Sequence, residues 1–347
     1  VIVNADGTVS VIAATAQAVG SPTVFNTTGS TSYISATFDS NSNKVIISYQ
    51  DGGNSGYGTA VVGTVSGTSI SFGSEVVFES AASQWVSTTF DSNSNKVVIS
   101  YRDGGNSNYG TAIVGTVSGT SISFGTAVVF ESAVTTYVSS TFDSNSNKVV
   151  IAYTDSGNVG YGTSIVGTVS GTSISFGTAV IFDASNSSYI SATFDSNSNQ
   201  VSFSYRTSTG VELVSGDVSG TSISFDSPVV LDATGVFYTG CTFDSISNKI
   251  VVGYRDSDNS NRGTSVVFQN ESTTLTAENF IGMADGAAAD GGKARVQIGS
   301  GINGAQSSLT AGQQYFVQAD GTLGLTAGSP SVIAGTAISA TEIIVKG

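Results

Sequence analysis

Histidine is absent from all 347 residues, and cysteine, methionine and tryptophan occur once each, with only three prolines. Without imidazole there is no histidine general base and no histidine-ligated metal site. A single cysteine, Cys241, cannot build a disulfide scaffold. With no histidine to deprotonate it, it reads as a structural thiol inside a strand and not as a nucleophile. Charge is also scarce. Charged residues make up 10% of the chain, 25 acidic against 11 basic, for a net charge of −14. That balance repels phosphate backbones and anionic lipid, so neither nucleic-acid binding nor membrane insertion is expected. No apolar run reaches the length of a membrane-spanning helix. The longest, Ser331 to Val345, is interrupted by Gly335, Thr336, Ser339, Thr341 and Glu342. Helical spacing of apolar residues is never sustained for three turns. No secretion-signal pattern opens the chain, and its start at Val1 instead of Met suggests a processed or partial product.

What fills the composition is Ser, Thr, Asn and 42 glycines, among 39% apolar residues. This is the content of β-strands joined by tight turns. The string Phe-Asp-Ser-x-Ser-Asn recurs with its aspartate at Asp39, Asp91, Asp143, Asp195 and Asp244, at spacings of 52, 52, 52 and 49. The first four copies each carry four apolar segments, in the second copy Trp85–Phe90, Lys96–Tyr101, Tyr109–Val117 and Ser121–Phe130, separated by Asn/Gly/Ser clusters. These read as antiparallel strands A to D, and a four-stranded unit repeated every 50 residues or so is the pattern of a β-propeller blade. A solenoid is the runner-up, with repeats that are usually shorter and ends that need capping. The fifth copy has no strand D, while Val19-Gly-Ser-Pro-Thr-Val-Phe25 matches the strand D ending Phe72-Gly-Ser-Glu-Val-Val-Phe78. The fold expected is therefore all-β: a five-bladed β-propeller over residues 15–271, closed by the N-terminal strand, which would remove exposed sheet edges. Residues 1–14 form a lead that could be a β-hairpin, and residues 272–347 a small C-terminal β-domain.

The A–B and C–D turns, expected on one face, are nearly identical among copies. The B–C and D–A loops, on the other, vary. The B–C loops run from Asp51-Gly-Gly-Asn-Ser-Gly56 to the shortened Arg206–Gly210 and Asp256-Ser-Asp-Asn-Ser-Asn261. A ligand is expected on the variable face. An aromatic residue opens every strand A there: Tyr33, Trp85, Tyr137, Tyr189 and Tyr238. Flat rings with a polar handle suit sugar faces; the competing reading is wedge packing between blades. With the loop acids Asp51, Asp103, Asp155 and Asp256 they form the candidate ligand site. No metal site and no cofactor are expected. Ca²⁺ is the one ion the Asp/Asn-rich loops resemble a site for, but the turns lack the glycine and distal Glu of an EF-hand loop. The chain is expected not to be an enzyme. The Asp39 series sits at a turn, and the unrepeated acids Glu75, Glu212, Asp217 and Asp226 form no pair readable as a glycosidase dyad.

After about Thr273 the repeat stops. The strings Glu278-Asn-Phe-Ile-Gly282, Leu309-Thr-Ala-Gly312, Tyr315-Phe-Val-Gln-Ala-Asp-Gly-Thr-Leu323 and Ala334-Gly-Thr-Ala-Ile-Ser-Ala-Thr341 resemble a small β-domain at the C-termini of bacteriophage virion proteins, marine phages especially. The blades resemble propeller repeats of similar phage and marine microbial proteins. The likeness implies a virion surface protein of fibre, spike or capsid-decoration type. Its C-terminal domain would attach to other virion proteins and its propeller would meet host-surface polysaccharide, with a homo-oligomer an option. The alternative is a secreted or cell-surface lectin or adhesin with no virus involved; a propeller glycosidase ranks below both.

Overall fold

The recurring Phe-Asp-Ser-x-Ser-Asn string folds as a carboxylate-capped turn. In the computed structural model one oxygen of Asp39 accepts the N–H groups of Asn41 at 2.9 Å and Ser42 at 3.0 Å, and the other accepts the Ser42 hydroxyl at 2.6 Å. Asp91 and Asp143 do the same. Asn43, Asn95, Asn147, Asn199 and Asn248 close these turns with φ between 55° and 58°, the left-handed region that asparagine tolerates best among non-glycines. The Ser-Gly-Thr-Ser turns are two-residue hairpin loops led by Gly67, Gly119, Gly171 and Gly220 at φ near 60°, where glycine pays no Cβ penalty.

The structure describes residues 2–3, 9–10, 17–233, 235–270, 283–284, 296–297, 301–318, 322–327 and 332–346. The chain divides into two compact units, Val1–Gln269 and Asn270–Gly347. The first holds five antiparallel repeats. In the first repeat, strand A is Thr31–Asp39, B is Lys44–Asp51 and C is Tyr57–Ser66. Strand D is broken: Ser69–Phe72 pairs with the end of C, and the start of Val76–Asp91 pairs with its beginning. That 16-residue strand then crosses over and becomes strand A of the second repeat, pairing with Lys96–Asp103. Val128–Asp143 makes the same passage from the second repeat to the third. The D–A connection expected as a loop is thus a continuous, bulged strand at these two junctions. Among the described residues the only helical turns are Gly52–Asn54 and Ser156–Asn158, and no helix is long and apolar enough to cross a membrane.

The cores lie between consecutive repeats. Ile46, Val62 and Phe78 of the first pack with Val86, Ile99 and Tyr101 of the second, and the pattern recurs at the next three junctions. Full burial of one such aliphatic or aromatic side chain contributes about 1.5–3 kcal/mol. A hydroxyl ladder joins the A strands as well. Ser35, Ser87, Ser139 and Ser191 each accept the backbone N–H of the following repeat, from Thr88, Ser140, Ala192 and Cys241, at 2.9–3.1 Å. Close approach is enforced by Gly73, Gly125 and Gly177, where a Cβ would overlap the carbonyl oxygens of Thr120, Thr172 and Thr221 in the next repeat.

The expected ring closure is not made. Ala18–Phe25 is not a strand and has no ladder to strand C of the fifth repeat, Arg262–Phe268, which pairs only with Lys249–Asp256 among the described residues. The segment nevertheless sits on the first repeat as a preceding strand D would. Phe25 packs on Tyr49 and Phe72 just as Phe78 packs on Tyr101 and Phe124, and Gly20 faces Thr68 as Gly73 faces Thr120. Two features mark the gap. Where the other A strands carry the bridging serine, the fifth has Gly240, so no hydroxyl can accept the N–H of Ala36. Ile34 is 54% exposed, while its counterparts Val86, Val138 and Ile190 are 7–8% exposed against the repeat before them.

Ile2–Val3 pairs with Val9–Ser10 within the N-terminal lead. In the second unit, Ile302–Asn303, Gln314–Val317, Leu323–Gly324, Ile333–Ala337 and Ile343–Val345 form one antiparallel sheet over a core that includes Met283, Leu309, Tyr315 and Ile343. The string Glu278–Gly282 lies outside the described residues, as do residues 319–321 of the Tyr315–Leu323 string.

Candidate functional site

All five A strands carry a bulge at the same place. In the first, Ser32 pairs with Gln50 and Ser35 with Ser48, which leaves Tyr33 and Ile34 opposite Tyr49 alone. Equivalent register shifts fall at 84–87, 136–139, 188–191 and 237–240. The extra residue is the aromatic one, and it is left-handed every time: φ is 51° at Tyr33, 52° at Trp85, 50° at Tyr137, 52° at Tyr189 and 56° at Tyr238. A bulky residue in this region costs about 1–3 kcal/mol and persists only where its surroundings hold it.

The bulges re-aim the rings into one continuous row. Centroid separations are 5.2 Å from Tyr33 to Trp85, 4.3 Å to Tyr137, 5.0 Å to Tyr189 and 4.7 Å to Tyr238. The first four rings are half-buried, and Tyr238 is 59% exposed. Tyr33, Trp85 and Tyr137 also rest on the inter-repeat cores, so wedge packing and surface presentation coexist in the same side chains. Burial pushes the Tyr137 hydroxyl above its ordinary range, Tyr189 adds to the rise, and the Arg206 charge opposes it.

The loop acids expected beside the rings serve first as caps of their own loops. Asp51 accepts the Gly53 N–H at 3.0 Å and the Asn26 side-chain amide at 3.0 Å, and the Thr28 hydroxyl reaches both its oxygens. Asp103 takes the N–H groups of Gly105 and Asn106, Asp155 that of Gly157, and Asp256 those of Asp258 and Asn259. Asp51 and Asp103 are buried. The B–C and D–A segments do share one face: Gly53 lies against Thr28 and Gly29, Gly104 against Ala82, and Gly157 against Ala133.

A second layer of carboxylates was not legible as a set. At three junctions the core tyrosine of strand B donates its hydroxyl to an acid at the end of the preceding strand D: Tyr101 to Glu79 at 3.1 Å, Tyr153 to Glu131 at 3.0 Å and Tyr254 to Asp232 at 2.9 Å. Burial first, and then the neighbouring Asp103 or Asp155, raises the carboxyl groups of Glu79 and Glu131 above the usual range. Burial, aided by the bonded Asp232, lifts Tyr254 to about 12. The unrepeated acids are similarly engaged. Glu75 accepts from Tyr49, Glu212 from Tyr205, and Asp217 and Asp226 both from the Gln200 amide.

Cys241 donates its thiol to the Ser191 carbonyl at 3.2 Å, and burial pushes the thiol up, away from the thiolate. Among the described residues, no three His, Cys, Asp or Glu side chains gather as a metal site. Sequence reasoning missed the guanidiniums beside the row: Arg206 lies 4.4 Å from the Phe237 ring centroid and Arg255 lies 4.6 Å from it. The available signal was arginine at one strand-B position in three copies, next to the single Phe-Tyr doublet Phe237–Tyr238.

No protein-family model and no curated protein matches the chain. Several solved structures do. The lectin BP39L from Burkholderia pseudomallei superposes with a TM-score of 0.51 at 14% identity, over 68% of this chain and 66% of that one. A mutant of AofleA from Arthrobotrys oligospora gives 0.48 at 9% identity, over 69% of both chains. Trypanosoma rangeli sialidase gives 0.44 at 11%, over 70% of this chain and 47% of that one. The chain therefore spans about two thirds of the length of the first two and under half of the sialidase's. At these identities the likeness speaks to fold: the antiparallel repeats are arranged in the manner of a β-propeller.

Proposed function

We propose that the five-repeat unit is a β-propeller recognition module that binds carbohydrate on the face bearing the aromatic row, and that it carries no catalytic role. One observation carries this reading: five aromatic residues held in a costly left-handed conformation by five copies of one bulge. If the rings only filled space between repeats, an ordinary extended strand could place them. A repeated strained geometry that lines rings up on one face supports a surface with a task. Stacking on sugar faces is chemistry such a row can do without titratable groups. Weak equivalent contacts presented side by side gain by avidity on a polymeric ligand. The resemblance to lectins in fold agrees with this reading without carrying it.

The test is a glycan array probed with the full chain, followed by titration of intrinsic fluorescence, since Trp85 is the one tryptophan and sits inside the row. Binding that shifts Trp85 emission supports the proposal; an array without a single bound glycan, with and without Ca²⁺, ends it. The virion setting rests on the sequence resemblance alone, and the proposal for the module does not depend on it.

A further inference from the structure

The basic residues of the first unit are segregated by type. Its four lysines, Lys44, Lys96, Lys148 and Lys249, all open strand B at the turn end. Of its four arginines, Arg102, Arg206 and Arg255 occupy the penultimate position of strand B, at the other end, beside the aromatic row, and Arg262 opens strand C of the fifth repeat. There the guanidiniums of Arg206 and Arg255 meet rings instead of carboxylates. Arg206 and Arg255 share the Phe237 ring at 4.4 and 4.6 Å, and Arg255 also stands 5.0 Å from the Tyr238 centroid. The Nε atoms of Arg102 and Arg255 are buried without a hydrogen-bond partner. Among the described residues none of the three arginines is paired with an acid, although the chain carries 25 acidic residues. The nearby acids are spent on loop N–H groups and tyrosine hydroxyls, as Asp256, Glu212 and Asp232 show.

A guanidinium stacked on an aromatic face is fixed in plane while its N–H edge stays free for a planar, bidentate acceptor. Two of them converge on one ring, and among the described residues neither is bonded to a carboxylate. We propose that the Arg206–Phe237–Arg255 cluster, with the Tyr238 ring beside it, is a subsite for the carboxylate of an acidic sugar unit. This deepens the glycan-binding reading and rests on it. The overall negative charge repels a polyanion, so the ligand that fits is a mostly neutral glycan carrying isolated carboxylated units.

The experiment is the full chain on an array of neutral, carboxylated and sulfated glycans, followed by titration of the best binder and of its carboxyl-reduced form. The carboxylated form binds tighter by about tenfold, the scale of one charge-assisted bidentate contact, and high salt narrows the difference. Arg206→Gln and Arg255→Gln abolish the difference between the two forms. Arg206→Lys keeps the charge without the stacked fork and retains only part of it. Should a Gln variant fail to fold, the Lys variant and the salt dependence of the wild type decide. Equal binding of both forms, or binding of neutral or sulfated glycans only, overturns the subsite and leaves the glycan reading standing. Absence of any binding overturns both.

Discussion

Truncating Trp85 separates the two roles its ring combines. The ring is half-buried, stacked at 5.2 Å on Tyr33 and 4.3 Å on Tyr137, and it touches the core shared by the second and third repeats. A fully buried Trp→Ala change costs about 3–5 kcal/mol. With the ring half open, about half of that survives, and the aromatic contacts, about 0.5–1.5 kcal/mol each, overlap with it in large part. Trp85→Ala should therefore destabilise by about 2 kcal/mol, read from urea unfolding by far-UV circular dichroism. The backbone adds a sharper test. At φ 52° glycine is at ease and alanine is not, so Trp85→Gly should be more stable than Trp85→Ala by about 1 kcal/mol, against the usual order in strands. The folded Ala variant should also bind glycan at least tenfold more weakly, about 1.4 kcal/mol. Alanine ranking above glycine would refute the argument from the bulge. A loss beyond about 4 kcal/mol with glycan affinity intact would make the ring inter-repeat core and remove it from recognition.

Three further outcomes follow from the same geometry. Asp91→Ala strips three hydrogen bonds from a buried carboxylate and should cost about 2 kcal/mol, while millimolar Ca²⁺ leaves the wild-type melting temperature unchanged; a Ca²⁺-dependent rise would reassign these turns as metal loops. Phe25→Ala should cost about 2 kcal/mol against about 4 kcal/mol for its counterpart Phe78→Ala, because Phe25 is half-buried where Phe78 is buried; equal losses would mean that the ring closes in solution. Glu79 and Glu131 have raised carboxyl groups, so the stability they contribute is fully present below about pH 4.3, their unfolded value, and is lost as pH rises through their folded values. Asp244 is lowered by bonds from Ser247 and Ile246, so its contribution is lost as pH falls below about 3.9. Stability should thus be greatest in mild acid, and Glu79→Gln should flatten the decline toward neutral pH; a melting temperature still climbing from pH 5 to 7 in the wild type would contradict this.

The repeat was legible because each copy uses the same local devices: the aspartate-capped turn, the glycine-led hairpin, and the Val/Ile segments that become strands B and C. Strand D was harder. Ser121–Phe130 reads as one apolar segment, yet it breaks at Gly125, which must lie flush against Thr172 of the next repeat; that contact is tertiary and leaves only a glycine in the sequence. The D–A passage misled for a related reason. Ser and Ala in Glu79–Gln84 look like a loop, but the chain stays extended while it exchanges one partner strand for another. Ring closure was inferred from matching ends, and the ends do match in packing at Phe25. What the match could not reveal is that Gly240 removes the bridging hydroxyl on which every other junction relies.

The aromatic row shows where reading by residue type stops. An aromatic at the start of each strand A was plain, but its left-handed φ comes from register: one extra residue opposite Tyr49, Tyr101 and their equivalents. That one-residue slip decides which side chains converge. It brings the penultimate residue of strand B beside the rings, and this is where the copies diverge, as Gln50, Arg102, Thr154, Arg206 and Arg255. The neighbouring Tyr49, Tyr101, Tyr153, Tyr205 and Tyr254 are identical, and core packing explains why. Thr154 is buried and donates its hydroxyl to the Ser187 carbonyl at 2.7 Å, whereas Gln50, Arg102, Arg206 and Arg255 are half-buried, and no packing demand separates glutamine from arginine there. Divergence there, on a frame otherwise copied nearly residue for residue, concentrates chemical difference on the face where the rings are presented. Binding should therefore be unequal among repeats, strongest where Arg206 and Arg255 flank Phe237, and changing the half-buried Gln50 to arginine should add affinity for an acidic glycan without altering the fold.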